Sequence, residues 1–421
     1  MRMKVFKFGG ASVKDADSVR NVASVLKKFS NQKIIVVFSA MGKTTNALEK
    51  LTDAFFFRQG NAKSILEEIK KYHFDIIKNL FSDSVHSVYK DIHEALLELE
   101  RNTNRTLSHS YNQEYDQIVS IGEILSTKIV SAYLNESGVK NNWMDVRDVI
   151  KTDKTYREGK VNWELTEKLA GEYFDKNKSD IILTQGFLGG TSENFTTTLG
   201  REGSDYTSAI LAYCTNAESV TIWKDVSGVM NADPKWFDET HLIDQMSYQD
   251  AIELAYYGAT VIHPKTIKPL QNKKIPLHVK SFLQPDEKGT AINDQQSQLP
   301  IPCFIFKVNQ ILLSISPKDF SFIVEENFSD IFKTFAEHQV KINVMQNSAI
   351  SFSVCTDNDE RKIPALIKTL QKNFRVLYNE NLELITIRYY NQPTIDRVCI
   401  GKKIFLEHKS RYTIQLVVKN I

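Results

Sequence analysis

The sequence is short of several features that usually announce a function. No apolar run approaches the roughly 18 residues of a membrane span, and MRMKVFKFGG passes straight into a strand pattern instead of the apolar core of a leader. Neither sign of charge dominates: 53 Lys plus Arg against 51 Asp plus Glu leave a formal net charge of +2. No global field therefore favours nucleic acid or an anionic surface. Cysteine is scarce and scattered, at Cys214, Cys303, Cys355 and Cys399. That spacing makes neither a metal-ligand set nor a dense disulfide framework, and it implies a reducing compartment. The expectation is a cytoplasmic protein that works on small molecules, with no nucleic acid and no membrane among its partners.

A phosphate loop is also incomplete. VVFSAMGKTTN, Val36 to Asn46, ends in the Gly-Lys-Thr of a P-loop, but the first glycine of that loop belongs five positions before Gly42, where Val37 stands in a strand. GKTT then reads as a polar strand-to-helix turn, with Thr44 or Thr45 capping a helix that begins near Asn46.

What is present is a chain of 421 residues, 42% hydrophobic and 25% charged, long enough for two or three domains. KVFKF (Lys4 to Phe8) and KIIVVF read as strands, separated by a helix with Val19, Val22, Val25 and Leu26 on one face. From about Asn46 to Asn135 the pattern is helical almost throughout, with Leu66, Ile69, His73, Ile76, Ile77 and Leu80 on one side of a long helix. Strand signals return at Asp180 to Phe187 and Glu218 to Val226, joined by a helix from Tyr206 to Tyr213. Apolar strands alternating with helices predict a mostly parallel sheet covered on both faces. A polar stretch near Ser281 to Pro302 marks a boundary. Beyond it, a βαββαβ order predicts a small ferredoxin-like α+β unit. The last forty or so residues offer little room for a helix between Tyr390 and Val398.

Three loop segments and one helical carboxylate could carry chemistry. Lys7-Phe8-Gly9-Gly10 sets a cation at a strand end and two glycines in the turn before a helix, an arrangement suited to an anion. TTTLGREGSD (Thr196 to Asp205) holds Arg201, which can fork onto a carboxylate or phosphate, and Ser204 and Asp205, which can cap the following helix. WKDVSGVMNADPK (Trp223 to Lys235) follows a strand at the edge where open α/β sheets bind ligands. Glu123, in SIGEILSTK, is a helical carboxylate among small residues that could accept an ammonium.

Together with YGATVIHPKT and IPLHVKSF, these segments resemble aspartate kinases, members of the amino acid kinase superfamily, in order and spacing. The resemblance covers about residues 3 to 295 closely and extends more loosely to the paired ACT domains that regulate those enzymes. It implies a three-layer α/β/α, mostly parallel sheet (the amino acid kinase fold) over 1–295, an ACT-like domain over 302–380 and a reduced second unit over 381–421. The implied reaction is phosphoryl transfer from ATP, with Mg2+, to the side-chain carboxylate of L-aspartate, in a homodimer formed through the ACT region.

By motif, the resemblance makes Lys7, Arg201 and Asp205 catalytic, with Lys7 neutralising the phosphoryl group and Asp205 orienting Lys7. Ser39, Thr45, Glu123, Arg201 and Ser204 would hold aspartate. Lys7, Gly9, Gly10, Lys224, Asp225, Met230, Lys235, Thr260 and Val261 would bind nucleotide. No protein ligand set for the metal is implied. Three departures stand out: Glu202 breaks a usual glycine pair, Lys224 stands for a threonine, and Thr260 replaces a lysine. Glu202 would repel phosphates unless it points outward, and Lys224 or Lys265 could supply the charge missing at Thr260. At the regulatory end, Asn343 and Ala349 occupy positions that are acidic in lysine-sensing members, which implies weak or absent lysine inhibition. The alternative to a kinase is a catalytically silent amino-acid sensor on the same scaffold.

Overall fold

The computed structural model describes residues 3–237, 239–259, 262–295, 301–319 and 321–421. The chain divides into two compact units, the first built on an eight-stranded sheet and the second on a six-stranded one.

In the first unit the strands are β1 (Lys4–Phe8), β2 (Ile34–Phe38), β3 (Asn142–Met144), β4 (Ile181–Gln185), β7 (Ser219–Lys224), β8 (Gln245–Ser247), β9 (Leu277–Ser281) and β10 (Thr290–Asn293). β5 (Leu188–Gly190) and β6 (Thr196–Thr198) form a separate antiparallel ribbon. The sheet order is β3-β4-β2-β1-β7-β9-β10-β8, and every pairing but that of β9 with β10 is parallel. The central strand β2 is apolar at every position because helices cover both faces of the sheet: all five of its residues, IIVVF, are buried. Phe6, Phe8, Phe38 and Trp223 meet across β1, β2 and β7, with Phe8 stacked on Trp223 at 5.8 Å and on Phe38 at 5.3 Å. Each such ring contributes about 1.5–3 kcal/mol by leaving water, and together they fix the strand ends from which the site is built.

Helices Thr44–Phe56, Ala62–Leu80, Ser87–Asn104, Tyr111–Val119 and Ile121–Glu136 fill the long stretch after β2. In Ala62–Leu80 the buried residues are the six that the periodicity singles out, His73 among them. The turn reading of GKTT holds, but neither threonine caps the helix. Lys43 is at the cap position without a side-chain bond, and the Thr44 hydroxyl is buried without a partner.

The second unit is an antiparallel sheet in the order β12-β13-β11-β14-β16-β15, from β11 (Cys303–Pro317), β12 (Ile342–Asn347), β13 (Phe352–Asp357), β14 (Phe374–Arg388), β15 (Lys402–Lys409) and β16 (Thr413–Asn420). β11 and β14, 15 residues each, pair along their whole length, with the register shifting around Asn309, where φ is 53°. Helices Glu325–Glu337 and Ile363–Leu370 cover one half of this sheet, over a core that includes Ile311, Leu313, Phe335 and Leu366.

The missing helix is a correction: Gln392–Cys399 is helical. Asn391 caps it by accepting from the Thr394 N–H at 3.0 Å, Pro393 starts it, and Ile395 and Val398 pack on Ile385, Ile387 and Ile414. Eight residues suffice because two turns cover that patch of sheet.

Candidate active site

Lys7 lies near the C-terminal end of β1, and its pairing partner on β7 is Ile222. Its ammonium reaches the helix Gly203–Cys214, where Nζ is 2.5 Å from Oδ1 of Asp205, a side chain with no exposure to solvent. Sequence rules make Asp205 a cap of that helix. Instead Glu202 takes the cap position, in the left-handed conformation (φ 56°) and with no side-chain bond to the helix N–H groups, and Asp205 pairs with the lysine.

The turn after β1 is tied to the SAMGKTT loop. The Ser39 N–H donates to Phe8 O (3.1 Å) and the Gly42 N–H donates to Gly10 O (3.0 Å). Glycine is required at position 10, since a Cβ there would lie 2.7 Å from Ala40 O and 2.9 Å from Gly42 O. Gly9 is close to the Lys7 ammonium, its ideal Cβ falling 3.6 Å from Nζ.

Glu123 enters from the first turn of helix Ile121–Glu136 and is 2% exposed. Its Oε1 accepts from the Ala40 N–H at 3.2 Å, while Oε2 is buried with no hydrogen-bond partner. Burial pushes this carboxyl up to about 8, against the pull of the Ala40 N–H and the charge of Lys7.

A cavity of about 790 Å³ gathers these groups, lined by Lys7, Ser39, Thr45, Glu123, Arg201, Ser204 and Asp205. Every residue expected to be catalytic or to hold aspartate is thus brought together. Lys43, the lysine of the P-loop-like stretch, is exposed and does not line this cavity. Glu202 does line it, so the carboxylate does not point outward. Burial and then the charge of Asp205 raise its carboxyl, while Lys224 and Lys7 act the other way.

The nucleotide candidates are more dispersed. Lys224 ends β7 and is half-buried, and Asp225 is exposed in the turn that follows. Met230 and Lys235 group with the second unit, where the Lys235 N–H donates to Asp233 Oδ1 at 2.9 Å. Thr260 and Val261 lie outside the described residues. Lys265, at the start of helix Pro264–Asn272, is 4.0 Å from Glu158, a cavity-lining residue.

Sequence reasoning missed the opposite wall. Arg157 has φ 68° and lies over the Tyr115 ring at 4.3 Å, and Tyr115 donates to Glu49 Oε1 at 2.6 Å. Buried Asp116 anchors this wall by accepting from the N–H groups of Arg157 and Thr198, both at 2.9 Å, and from the Thr198 hydroxyl at 2.8 Å. No local motif marks these residues, since helix 111–119, loop 157 and β6 meet only in the fold. The one hint is the pair of carboxylates flanking Tyr115 in the stretch YNQEYDQ, Glu114 and Asp116, both of which the fold buries.

A lysine–aspartate pair at a strand end, an uncapped helix start and a buried carboxylate in one cleft define a site for an anion and an ammonium side by side. The family model described as "Amino acid kinase family" matches residues 2–281, and the chain belongs to that family. Within it the chain is 28% identical to lysine-sensitive aspartokinase 3 of Escherichia coli over 412 residues, 95% of this chain and 90% of that protein. It is 29% identical over 381 residues to bifunctional aspartokinase/homoserine dehydrogenase 2 of Arabidopsis thaliana, covering 88% of this chain but only 42% of that longer protein. The structure of E. coli aspartokinase III in complex with aspartate and ADP superposes with a TM-score of 0.82 at 26% identity, over 99% of this chain and 96% of that one. The mostly parallel α/β sheet followed by a smaller α+β unit is therefore the fold of that enzyme.

Proposed function

We propose that this chain is an aspartate kinase: it transfers the γ-phosphoryl group of ATP, with Mg2+, to the side-chain carboxylate of L-aspartate, giving 4-phospho-L-aspartate and ADP. The observation that carries the reading is the orphaned, buried Oε2 of Glu123 in the same cavity as the Lys7–Asp205 pair and Arg201. Glu123 suits the substrate ammonium and Arg201 a carboxylate. The attacking carboxylate is already ionised at neutral pH, so the protein need supply no general base. Its task is positioning and charge neutralisation. Asp205 holds Lys7 Nζ at the strand end, where it meets the charge developing on the transferring group. Gly9 and Gly10 let backbone N–H groups approach the phosphates, and Ser39, Thr45 and Ser204 hold aspartate.

The residues present fit a cation carried in on the phosphates. A lysine and an uncapped helix start face the anion, and among the described residues no three His, Cys, Asp or Glu cluster as a metal cage. When bound, Mg2+ neutralises phosphate charge, and Asp205 is the carboxylate here that could hold it directly or through water. Lys224, Asp225, Met230, Lys235, Thr260 and Val261 take the nucleotide by the motif argument, with adenine near Met230.

The product would enter lysine, threonine, methionine and isoleucine synthesis. We take the division into 1–295, 302–380 and 381–421 as catalytic domain and two ACT-like units, with a homodimer formed through the latter, in the cytoplasm. No described helix is long and apolar enough to cross a membrane. Asn343 supports a weak lysine response, because its Oδ1 already accepts from Lys307 Nζ at 2.9 Å and its Nδ2 donates to Asp357 at 3.0 Å. Hydroxylamine trapping of acyl phosphate made from ATP and aspartate tests the activity. Repeating it with millimolar lysine tests the regulation: strong inhibition by lysine alone would overturn the second claim.

A further inference from the structure

The two segments assigned above to phosphate and to aspartate are joined by a residue outside the cavity. The phosphate turn runs from Gly9 through one 3-10 turn, Gly10–Val13, to Lys14. Gly9 O closes it by accepting from the N–H of Ser12 at 3.0 Å and from the Ser12 hydroxyl at 2.6 Å. The aspartate loop, SAMGKTT, carries Ser39 and Thr45 into the cavity and gives the Ala40 N–H to Glu123. The Gly42 N–H, donated to Gly10 O, is one link between the two segments.

Tyr72 is the other. It lies on helix Ala62–Leu80, half-buried next to the buried face of that helix, and it does not line the cavity. Its hydroxyl donates to Lys14 O at 2.5 Å, at the far end of the phosphate turn. The same oxygen rests against Gly42 of the aspartate loop, where φ is 52°. A Cβ at position 42 would lie 2.6 Å from that oxygen and 3.5 Å from the ring carbon that bears it, so a side chain there would push the phenol off Lys14. One hydroxyl thus meets both segments and ties them to a helix anchored by buried Ile69, His73, Ile76 and Ile77. Burial and then the charge of Asp15 raise the phenol, which keeps it a donor at neutral pH.

We propose that Tyr72 is a positioning residue that orders the phosphate turn and the aspartate loop in advance as one body, so that neither substrate has to order them on binding. The inference rests on the proposed kinase function. Without the hydroxyl, the first ligand to arrive must fix both segments, and the second then finds them fixed. A variant lacking this bond should therefore gain positive coupling between nucleotide and aspartate, of the same size whichever binds first. A neutral hydrogen bond is worth about 2- to 12-fold in an equilibrium constant, which sets the size of effect to look for.

The test is calorimetric binding of aspartate to the full chain, with and without saturating ADP and Mg2+, and of ADP with Mg2+, with and without saturating aspartate. It is run on wild type, Tyr72→Phe, Gly42→Ala and the double variant, each well below its melting temperature. Tyr72→Phe should weaken each ligand alone about fivefold, and each in the presence of the other by less than about twofold. Gly42→Ala, which displaces the phenol, should show the same coupling and carries the prediction if Tyr72→Phe does not fold. Beside it, Tyr72→Phe should add less than about twofold, because both substitutions break one contact. The proposal is overturned if Tyr72→Phe binds each lone ligand as wild type does, if it weakens each by the same factor with and without the other, or if the two losses multiply in the double variant. A tyrosine that only stabilised the fold would give the first of these, with a lower melting temperature and unchanged dissociation constants. Aspartate-dependent hydroxamate formation by the same wild-type sample tells the two readings apart: its absence with the binding pattern intact sinks the kinase reading alone, and its presence without the pattern sinks this one alone.

Discussion

If Glu123 receives the ammonium of aspartate, substrate binding must drive off a proton. Burial holds the Glu123 carboxyl at about 8, so near neutral pH most molecules carry it protonated, and only the ionised fraction is competent to pair. The apparent dissociation constant then scales as one plus the ratio of protonated to ionised Glu123. With the ordinary titration law that factor is about 33 at about pH 6.5 and about 1.3 at about pH 8.5, so the KM for aspartate should fall roughly 25-fold across this range. The sign follows from a carboxyl whose value is raised in the folded protein: raising pH produces the binding form. Calorimetry in buffers of different ionisation enthalpy should find about 0.9 proton released per site at about pH 7. Glu123→Gln should flatten the profile and, at about pH 8.5, raise the KM for aspartate by about 2–4 kcal/mol, roughly 30- to 1,000-fold. A wild-type KM that is flat over these pH values, or the same slope in Glu123→Gln, would refute the assignment of Glu123 to the ammonium.

Other consequences are as concrete. Lys7→Ala should cut kcat by about 10²–10³, the usual loss on removing a donor aimed at developing charge. Lys43→Ala should change it by less than about threefold, because that side chain is exposed and does not line the cavity; the reverse order in steady-state assays would restore the P-loop question. Gly10→Ala, with its Cβ 2.7 Å and 2.9 Å from the carbonyl oxygens of Ala40 and Gly42, should lower unfolding stability by about 1–3 kcal/mol in urea melts, whereas Gly9→Ala should leave the melt near wild type. Burial lowers His73 to about 4, so the unfolded chain takes up a proton near the ordinary value while the folded chain resists. Stability should therefore decline as pH falls from about 6.5 towards 4, by about 3 kcal/mol in all. His73→Leu should remove that part of the pH dependence, and an unchanged slope would show that other groups cause it.

The residues legible in the sequence are those whose signal is local. Leu66, Ile69, His73, Ile76, Ile77 and Leu80 declare a buried face because a helix repeats every 3.6 residues. Lys7 and the Gly9-Gly10 turn, or Arg201 and Asp205, sit close enough in sequence for glycine, charge and strand edge to be read together. What could not be read depends on partners distant in sequence. Asp205 looks like a cap by the rule for helix starts, but Lys7, almost two hundred positions earlier, claims it. Arg157 and Tyr115 carry no spacing that joins them, and Asp116 connects them only after β6 arrives. The helix Gln392–Cys399 leaves little trace because two turns make little periodicity, and its Asn391 cap and Pro393 in the first turn are its only local signals. The length of β11 and β14, which serve both halves of the second sheet, follows from pairing rather than from any pattern within either strand.

The central claim is that this cleft phosphorylates aspartate, and hydroxylamine trapping tests it most directly. With ATP and Mg2+ present, the account predicts hydroxamate that depends on aspartate and is lost in both Lys7→Ala and Asp205→Ala. Well-folded protein that binds nucleotide but forms no aspartate-dependent hydroxamate would contradict it.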